Sequence, residues 1–395
     1  MSLKRQLLVS FGLQGAGAAA VLLATLLLGA RLGPEVQGGF SRVKAEVEFV
    51  AAFAMFGLPQ ALFFFVKSGA MSGRSALRWA LGCTLVALPI GALCAAWQRE
   101  NGVALLLMGG AVAAAVAHGQ LRALLLVRQP TAWFNLLTAL PQLLVLAGVL
   151  HVLARGTAEA SQWLPLFAVA YAGAASIAAW RLRSTRDDAP VASTVTWRAL
   201  AHYGLAAWLT AALATAAILL VQRWVEAAQG AVALGRFTMA MTLVQVPLTP
   251  ISYAAPLLLR RWMERPGAAA SRRVAGVVFA TLLVAAALMG LAAGMWPDLG
   301  LGVAYAGTTS ALAVLLAGGA AEAASRVLTV QASASGRPWI AVRAEAARWA
   351  VLAIGWAALD AASLMSVCAV WAIGAWAAAA VFVASSRGDA AERPA

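Results

Sequence analysis

Long apolar runs separated by short polar segments recur along the whole chain. A membrane-spanning helix needs about 20 mostly apolar residues to cross about 30 Å of hydrocarbon. The runs that reach this length cover residues 6–30, 45–66, 79–97, 102–127, 132–154, 163–180, 199–222, 237–259, 274–296, 303–325, 339–359 and 362–385. The pattern therefore predicts an all-α integral membrane protein with twelve transmembrane helices.

The basic residues are distributed unevenly between the segments that join these runs. With the N-terminus in the cytoplasm, 22 of the 29 Lys and Arg residues fall on the cytoplasmic side and seven on the other. Positively charged segments are retained in the cytoplasm during insertion. The asymmetry predicts a multi-pass membrane protein with both termini cytoplasmic.

Composition excludes several classes of protein. A chain that is 63% hydrophobic and 11% charged has too little polar surface for a soluble globule of 395 residues. Its basic residues form short clusters between apolar runs rather than one basic and aromatic face, so no nucleic-acid partner is expected. The cysteines, Cys83, Cys94 and Cys368, lie inside apolar runs and form neither a disulfide framework nor a CxxC site. No metal or other cofactor is predicted.

A polar segment in mid-chain and an internal repeat predict two halves. The predicted divisions are a six-helix bundle over 1–184, a cytoplasmic linker over 185–198, a second six-helix bundle over 199–385 and a cytoplasmic tail over 386–395. A shift of 192 residues aligns Phe11-Gly12-Leu13 with Tyr203-Gly204-Leu205, Arg31 with Arg223, and Gln37-Gly38 with Gln229-Gly230. Because six is even, the bundles would be related by a parallel pseudo-two-fold repeat, and transporters built in this way bind substrate between the halves.

The segment after the first apolar run has a distinctive turn. Gly33-Pro34 predicts the end of the first helix, and Gly38-Gly39 predicts the chain reversal. With Leu32 before this turn, Phe40 after it and Gly57 in the second span, residues 30–62 resemble the Wzx-type polysaccharide flippases of the multidrug/oligosaccharidyl-lipid/polysaccharide exporter superfamily. The number of spans extends the resemblance over the whole chain.

The resemblance implies a transporter rather than an enzyme. Its substrate would be an undecaprenyl-pyrophosphate-linked oligosaccharide, moved across the inner membrane by alternating access for O-antigen or exopolysaccharide biosynthesis. The cavity between the halves would be polar and largely cationic. The implied partners are the lipid-linked oligosaccharide, membrane lipids, and the polysaccharide polymerase and glycosyltransferases of the same pathway.

Charged and polar side chains within spans are costly, usually face the bundle interior, and are candidates for function. Arg348 is the strongest, because the eleven residues from Trp349 to Leu359 cover only about half a membrane and place Arg348 near mid-depth. The candidates for a central substrate cavity are Arg348, Glu345, Arg122, His118, Gln120, Gln14, Gln60 and Glu48. Arg31 and Arg223, at the outer ends of spans, are weaker candidates that could guide a headgroup.

Each candidate also has a structural interpretation. Glu345 lies three residues before Arg348 and could hold it as an ion pair instead of binding pyrophosphate. Glu46 and Glu48 follow Arg42 and Lys44 at i,i+4, and Glu322 precedes Arg326 at the same spacing. Arg122 could extend to the membrane interface. Gln14 and Gln60 could bond neighbouring helices, and Arg31 and Arg223 could serve as anchors.

Three other functions compete with the flippase. A cation-coupled multidrug exporter of the same superfamily would be expected to have acidic residues deep in the first or seventh span. Those spans have Gln14, Thr25, Thr210 and Thr215 instead. A membrane-embedded polysaccharide polymerase or acyltransferase would need a catalytic constellation, and His118, His151 and His202 are scattered. A purely structural subunit gives no reason for Arg348.

Overall fold

The computed structural model describes residues 3–67, 69–97, 102–128, 131–156, 162–183, 195–264, 268–335, 337–359 and 363–391. Over these ranges the chain is helical with short connections and contains no β-strand. The helices are α1 Leu3–Ala54, α2 Leu58–Lys67, α3 Gly73–Trp97, α4 Gly102–Arg128, α5 Thr131–Arg155, α6 Trp163–Arg183, α7 Trp197–Glu264, α8 Ala268–Ala292, α9 Thr308–Ala334, α10 Trp339–Ala358 and α11 Leu364–Ala391. A 3₁₀ turn over Val303–Tyr305 precedes α9.

Two of these helices are too long for one crossing of the membrane. Helix α1 has 52 residues and α7 has 68, against the roughly 20 that one crossing needs. Each contains one non-helical glycine, Gly33 (φ 85°, ψ 174°) and Gly230 (φ 81°, ψ −178°). Glycine alone commonly adopts this combination of angles. Each long helix is therefore two crossings joined at a glycine.

Counting crossings over the described residues gives twelve. Nine helical segments are long and apolar enough to span a membrane, and two of them contain the break at Gly33 or Gly230. Helix α10 supplies the remaining crossing; its 20 residues include Arg343, Glu345 and Arg348, which place it outside the apolar class. The protein is thus a multi-pass, all-α membrane protein with twelve transmembrane helices in two bundles, and the predicted fold class is confirmed.

The reversal after the first span differs from its prediction. Gly38 and Gly39 were expected to turn the chain, but both are helical, and the break lies at Gly33. Gly38 instead provides close packing, because a Cβ atom there would lie 2.9 Å from the Gly235 backbone nitrogen. The prediction about Gly38-Gly39 was wrong because a Gly-Gly pair permits both a turn and close helix packing, and the local sequence does not separate them.

The structure also changes the register of the internal repeat. The two left-handed glycines, Gly33 and Gly230, are 197 positions apart, whereas the ungapped alignment used 192. Arg31 lies two residues before its break and Arg223 lies seven before its own. The two arginines are therefore not equivalent positions of the repeat.

The chain forms two compact units. Unit 1 comprises Met1–Ala24 and Arg42–Ala216, and unit 2 comprises Thr25–Ser41 and Ala217–Ala395. The apolar core of unit 1 includes Leu62, Leu125 and Val116, and that of unit 2 includes Phe237 and Leu315. Most of the predicted linker, together with the end of the predicted tail, lies outside the described residues, so the predicted domain boundaries stay a prediction.

Candidate functional site

A break in the second crossing shapes one wall of a cavity in unit 1. Helix α1 ends at Ala54 and α2 begins at Leu58, and between them Phe56 (φ 49°) and Gly57 (φ 65°) adopt left-handed backbone conformations. A Cβ atom at Gly57 would overlap the Gly204 backbone of α7. Because residues 57 and 204 are both glycine, α7 can pack directly against the break.

Trp208 of α7 stabilises this break. In an unbroken helix the Phe53 carbonyl would accept a hydrogen bond from the Gly57 amide. Here that carbonyl accepts a hydrogen bond from Trp208 Nε1 at 2.7 Å. The Trp208 ring also contacts Phe53 and Phe56, with centroid distances of 5.4 and 5.8 Å.

The cavity beside this break has a volume of about 260 Å³. Its lining combines apolar and aromatic surface with a few polar groups. The lining residues are Glu48, Ala51, Ala52, Met55, Gly57, Gln60, Ala115, His118, Gly119, Arg122, Thr138, Pro141, Gln142, Tyr171, Ala207, Trp208 and Ala211. This composition is typical of a small-molecule binding site.

Arg122 contributes the positive charge of this lining. Its Nη1 donates to Thr138 Oγ1 at 3.2 Å, and its Cζ lies 5.2 Å from the centroid of the Phe134 ring. Among the residues that the structure describes, no carboxylate lies within 4 Å of its guanidinium. Arg122 therefore lines the cavity without an ion-pair partner among the described residues.

The other predicted polar residues of this cavity have partners or are exposed. The Glu48 carboxylate forms an ion pair with Lys44 Nζ at 2.7 Å, as the i,i+4 spacing predicted. His118 Nε2 lies 2.8 Å from the Leu137 carbonyl. Because a carbonyl only accepts, Nε2 carries a proton and, in the neutral ring, Nδ1 is left as an acceptor. Gln60 is exposed on the cavity wall.

Two predicted candidates lie in helix contacts rather than in the cavity lining. Gln14 Nε2 donates to Asn135 Oδ1 and so connects α1 to α5. Gln120 Nε2 donates to Cys83 Sγ at 3.3 Å and connects α4 to α3. The Gln14 bond agrees with the structural interpretation of this residue, which was a hydrogen bond to a neighbouring helix.

Unit 2 contains a second polar site, built from four charged side chains on α9 and α10. Arg348, with 3% of its surface exposed, donates to Glu322 and lies 3.5 Å from Glu345 Oε2 through Nη1. Arg326 donates to Glu322 Oε1 at 3.1 Å. We call Glu322, Arg326, Glu345 and Arg348 the charge quartet, and its formal charge is zero.

Polar side chains of α7 extend the quartet. Arg326 donates to Ser252 Oγ at 2.9 Å and to Gln245 Oε1 at 3.2 Å. The sequence indicated the pairs Arg348–Glu345 and Arg326–Glu322 separately, because each lies within one helix. The Arg348–Glu322 contact joins α10 to α9, and no local spacing could indicate it.

The two arginines predicted to guide a headgroup have separate surroundings. Arg31 is exposed and lies two residues before Gly33. Arg223 forms an ion pair with Glu226, with Nη1 3.7 Å from Oε2. Across the described ranges, no group of three His, Cys, Asp or Glu side chains could hold a metal ion.

Comparisons with known proteins identify the fold. No protein-family model matches the chain, and no curated protein matches it. Solved structures do match: an inward-facing multidrug resistance MATE family transporter of the MOP superfamily is 16% identical, with a TM-score of 0.68 over 97% of this chain and 98% of that one. A MATE transporter from Vibrio cholerae is 13% identical, with a TM-score of 0.65 over 98% and 97%.

A third solved structure has a similar fold. A MOP superfamily transporter from Pyrococcus furiosus is 16% identical, with a TM-score of 0.68 over 98% of this chain and 94% of that one. Its binding pocket is described as having reversed polarity that suggests a different function. At these identities the similarity establishes that the chain has the fold of these transporters.

Proposed function

We propose that this protein is a transporter that exports small amphipathic organic molecules and binds them in the cavity of unit 1. The similar structures include a multidrug resistance transporter, which supports the exporter over the flippase expected from residues 30–62. The proposal therefore adopts the alternative that the sequence left open. It retains two expectations as proposals: the inner-membrane location that the resemblance implies, and the cytoplasmic termini predicted from the distribution of Lys and Arg.

The observation that carries this proposal is the size and lining of the cavity. Pockets for drug-sized ligands have volumes of roughly 300–1,000 Å³ and mostly apolar walls with a few convergent polar groups. The cavity, at about 260 Å³, lies just below that range, and its walls combine Trp208, Met55 and Pro141 with Arg122. A small organic molecule suits this volume and this lining.

A carboxylate of the charge quartet could bind the coupling cation of such an exporter. Glu322 has both arginines of the quartet as donors. Glu345 has the looser environment: it is 9% exposed, and in the described part of the chain its Oε2 accepts no hydrogen bond. A proton or metal cation would offset the negative charge of Glu345 more readily than that of Glu322, and we assign coupling to Glu345.

One observation favours a second candidate function. Arg122 presents a guanidinium without a carboxylate partner, and guanidinium groups bind phosphate through paired hydrogen bonds. That group could meet the pyrophosphate of a lipid-linked oligosaccharide, as in the flippase that residues 30–62 suggest. A polysaccharide polymerase and glycosyltransferases would be partners only under this second candidate.

Deletion of the gene separates the two functions. If the protein is an exporter, the deletion strain accumulates amphipathic organic compounds and keeps a normal surface polysaccharide. If it is a flippase, the strain retains lipid-linked oligosaccharide in the inner leaflet and loses surface polysaccharide. The exporter proposal fails if only the second phenotype is seen, and complementation with the wild-type gene is the control.

A further inference from the structure

We infer that the cavity of unit 1 selects aromatic organic anions, with Arg122 binding the anionic group and Trp208 contacting the ring. This inference rests on the proposed export function and names its substrate class. It depends on two side chains that line the same cavity, and each is restricted by its neighbours to one kind of interaction.

The charge selection follows from the two charged residues in the lining. Glu48 is paired with Lys44 at 2.7 Å, so its negative charge is offset within its own helix. Arg122 has no such partner among the described residues and forms one hydrogen bond, to Thr138. A cation in the cavity would meet an uncompensated guanidinium, whereas an anion would neutralise it.

The geometry of Arg122 also favours a particular anionic group. Guanidinium has five N–H donors in a planar fork that matches carboxylate and related oxyanions. The Phe134 ring, 5.2 Å from Cζ, and the Thr138 hydroxyl hold this plane. The Thr138 hydroxyl proton is donated to the Phe134 carbonyl at 2.7 Å, so its oxygen is left to accept from Arg122. A preorganised fork favours a carboxylate, sulfonate or phosphate with two oxygens in one plane.

The ring selection follows from the hydrogen bond of Trp208. An indole has one donor and no acceptor. That donor is engaged by the Phe53 carbonyl at 2.7 Å. Trp208 therefore offers a substrate only apolar, aromatic surface. Phe53 and Phe56 contact the same ring from outside the cavity lining and hold it in place.

Equilibrium dialysis with three small probes tests the inference directly. The probes are naphthalene-1-sulfonate, cyclohexanesulfonate and 1-naphthylmethylammonium, used with the purified full-length protein. The aromatic anion is expected to bind at least about tenfold more tightly than either other probe, since stacking and charge each contribute on the order of one tenfold step. Equal binding of the two sulfonates would overturn the ring selection, and tighter binding of the ammonium would overturn the charge selection.

Matched variants assign each half of the selection to its residue. Arg122→Gln should weaken naphthalene-1-sulfonate by about tenfold or more, whereas Arg78→Gln, which changes an exposed arginine outside the lining, should not. Trp208→Leu should weaken naphthalene-1-sulfonate by about tenfold and leave cyclohexanesulfonate unchanged. Trp208→Phe keeps an aromatic ring without the N–H group, and its Kd for naphthalene-1-sulfonate should lie within about threefold of the wild-type value.

The remaining outcomes separate this inference from the proposed function. If proteoliposomes transport other amphipathic solutes but no aromatic anion binds, the inference is wrong and the export function stands. If no solute is transported, the proposed function itself fails. If Trp208→Leu lowers thermal stability but Trp208→Phe does not, binding to Trp208→Phe decides the question. If Trp208→Phe binds naphthalene-1-sulfonate as weakly as Trp208→Leu does, the role of the ring is overturned.

Discussion

Arg348 of α10 donates to the carboxylate of Glu322 on α9, 26 residues earlier in the chain. Arg348 is 3% exposed and Glu322 is 8% exposed. Two buried opposite charges in contact are stable only together, because either one alone would keep its desolvation cost without its partner. Arg348 and Glu322 therefore behave as one unit, and neither can be changed alone without a cost.

Replacing Arg348 with Met should destabilise the protein by about 3–5 kcal/mol, because Glu322 and Glu345 would be left as neighbouring buried carboxylates. Thermal denaturation in detergent measures the change. The control is the variant Arg348→Met/Glu345→Gln, which removes one charge of each sign and should recover part of the loss. Equal stability of the single variant and the wild type would contradict the role of Arg348 in holding the buried carboxylates.

The two carboxylates of the quartet should respond differently to neutralisation. The free energy of unfolding of Glu345→Gln should lie within about 1 kcal/mol of the wild-type value, since Oε2 of Glu345 accepts no hydrogen bond in the described structure. Glu322→Gln should lose about 3–5 kcal/mol, because both arginines donate to Glu322.

Glu345→Gln should also remove the acceleration of transport by a pH or cation gradient while leaving downhill flux intact. Flux into proteoliposomes with and without the gradient measures this. An unchanged response to the gradient in Glu345→Gln would rule out the assignment of coupling to Glu345.

Adjacent glycines of the second crossing provide a matched pair of substitutions. A Cβ atom at Gly38 would lie 2.9 Å from Gly235 N and 3.0 Å from the Ala231 carbonyl oxygen, whereas a Cβ at Gly39 meets nothing within 4 Å. Gly38→Ala should cost about 1–3 kcal/mol through overpacking. Gly39→Ala should be neutral or stabilise by about 0.5–1 kcal/mol, since alanine favours a helix. Similar melting temperatures for the two variants would argue against the close packing of Gly38 on α7.

The break at Gly33 can be tested through its backbone angles. Its φ of 85° and ψ of 174° fall in a region that is essentially restricted to glycine. Gly33→Ala should cost about 1–3 kcal/mol although a Cβ there has open space around it. Gly12→Ala, also in open space but helical, is the control and should cost nothing. A neutral Gly33→Ala would show that the chain turns elsewhere.

The number of crossings could be predicted from sequence because apolar length is a local property. Helix α10 was also predicted. The apolar run from Trp349 to Leu359 is too short to cross a membrane unless the segment from Arg343 to Arg348 belongs to the same helix. The position of the first turn could not, because Gly33 and Gly38 are both compatible with a reversal. Their separate roles depend on contact with Gly235, almost 200 residues away.

The candidate site was predictable in composition but not in arrangement. Glu48, Gln60, His118 and Arg122 were selected as polar residues within spans, and the structure brings them to one cavity. Trp208 was missed, because nothing in the local sequence of the seventh span indicates its contact with Phe53, 155 residues earlier. Gly57-Leu58-Pro59 indicates a local departure from a regular helix in the second span, but its contact with α7 depends on the fold.

Transport of radiolabelled naphthalene-1-sulfonate into proteoliposomes tests the central claim most directly, with wild type, Arg122→Gln and Arg78→Gln compared at equal protein content. The account predicts saturable uptake by wild type and Arg78→Gln, and a loss of about tenfold or more for Arg122→Gln. Uptake by Arg122→Gln at the wild-type rate and affinity would contradict it, because the anionic group would then be transported without binding to Arg122.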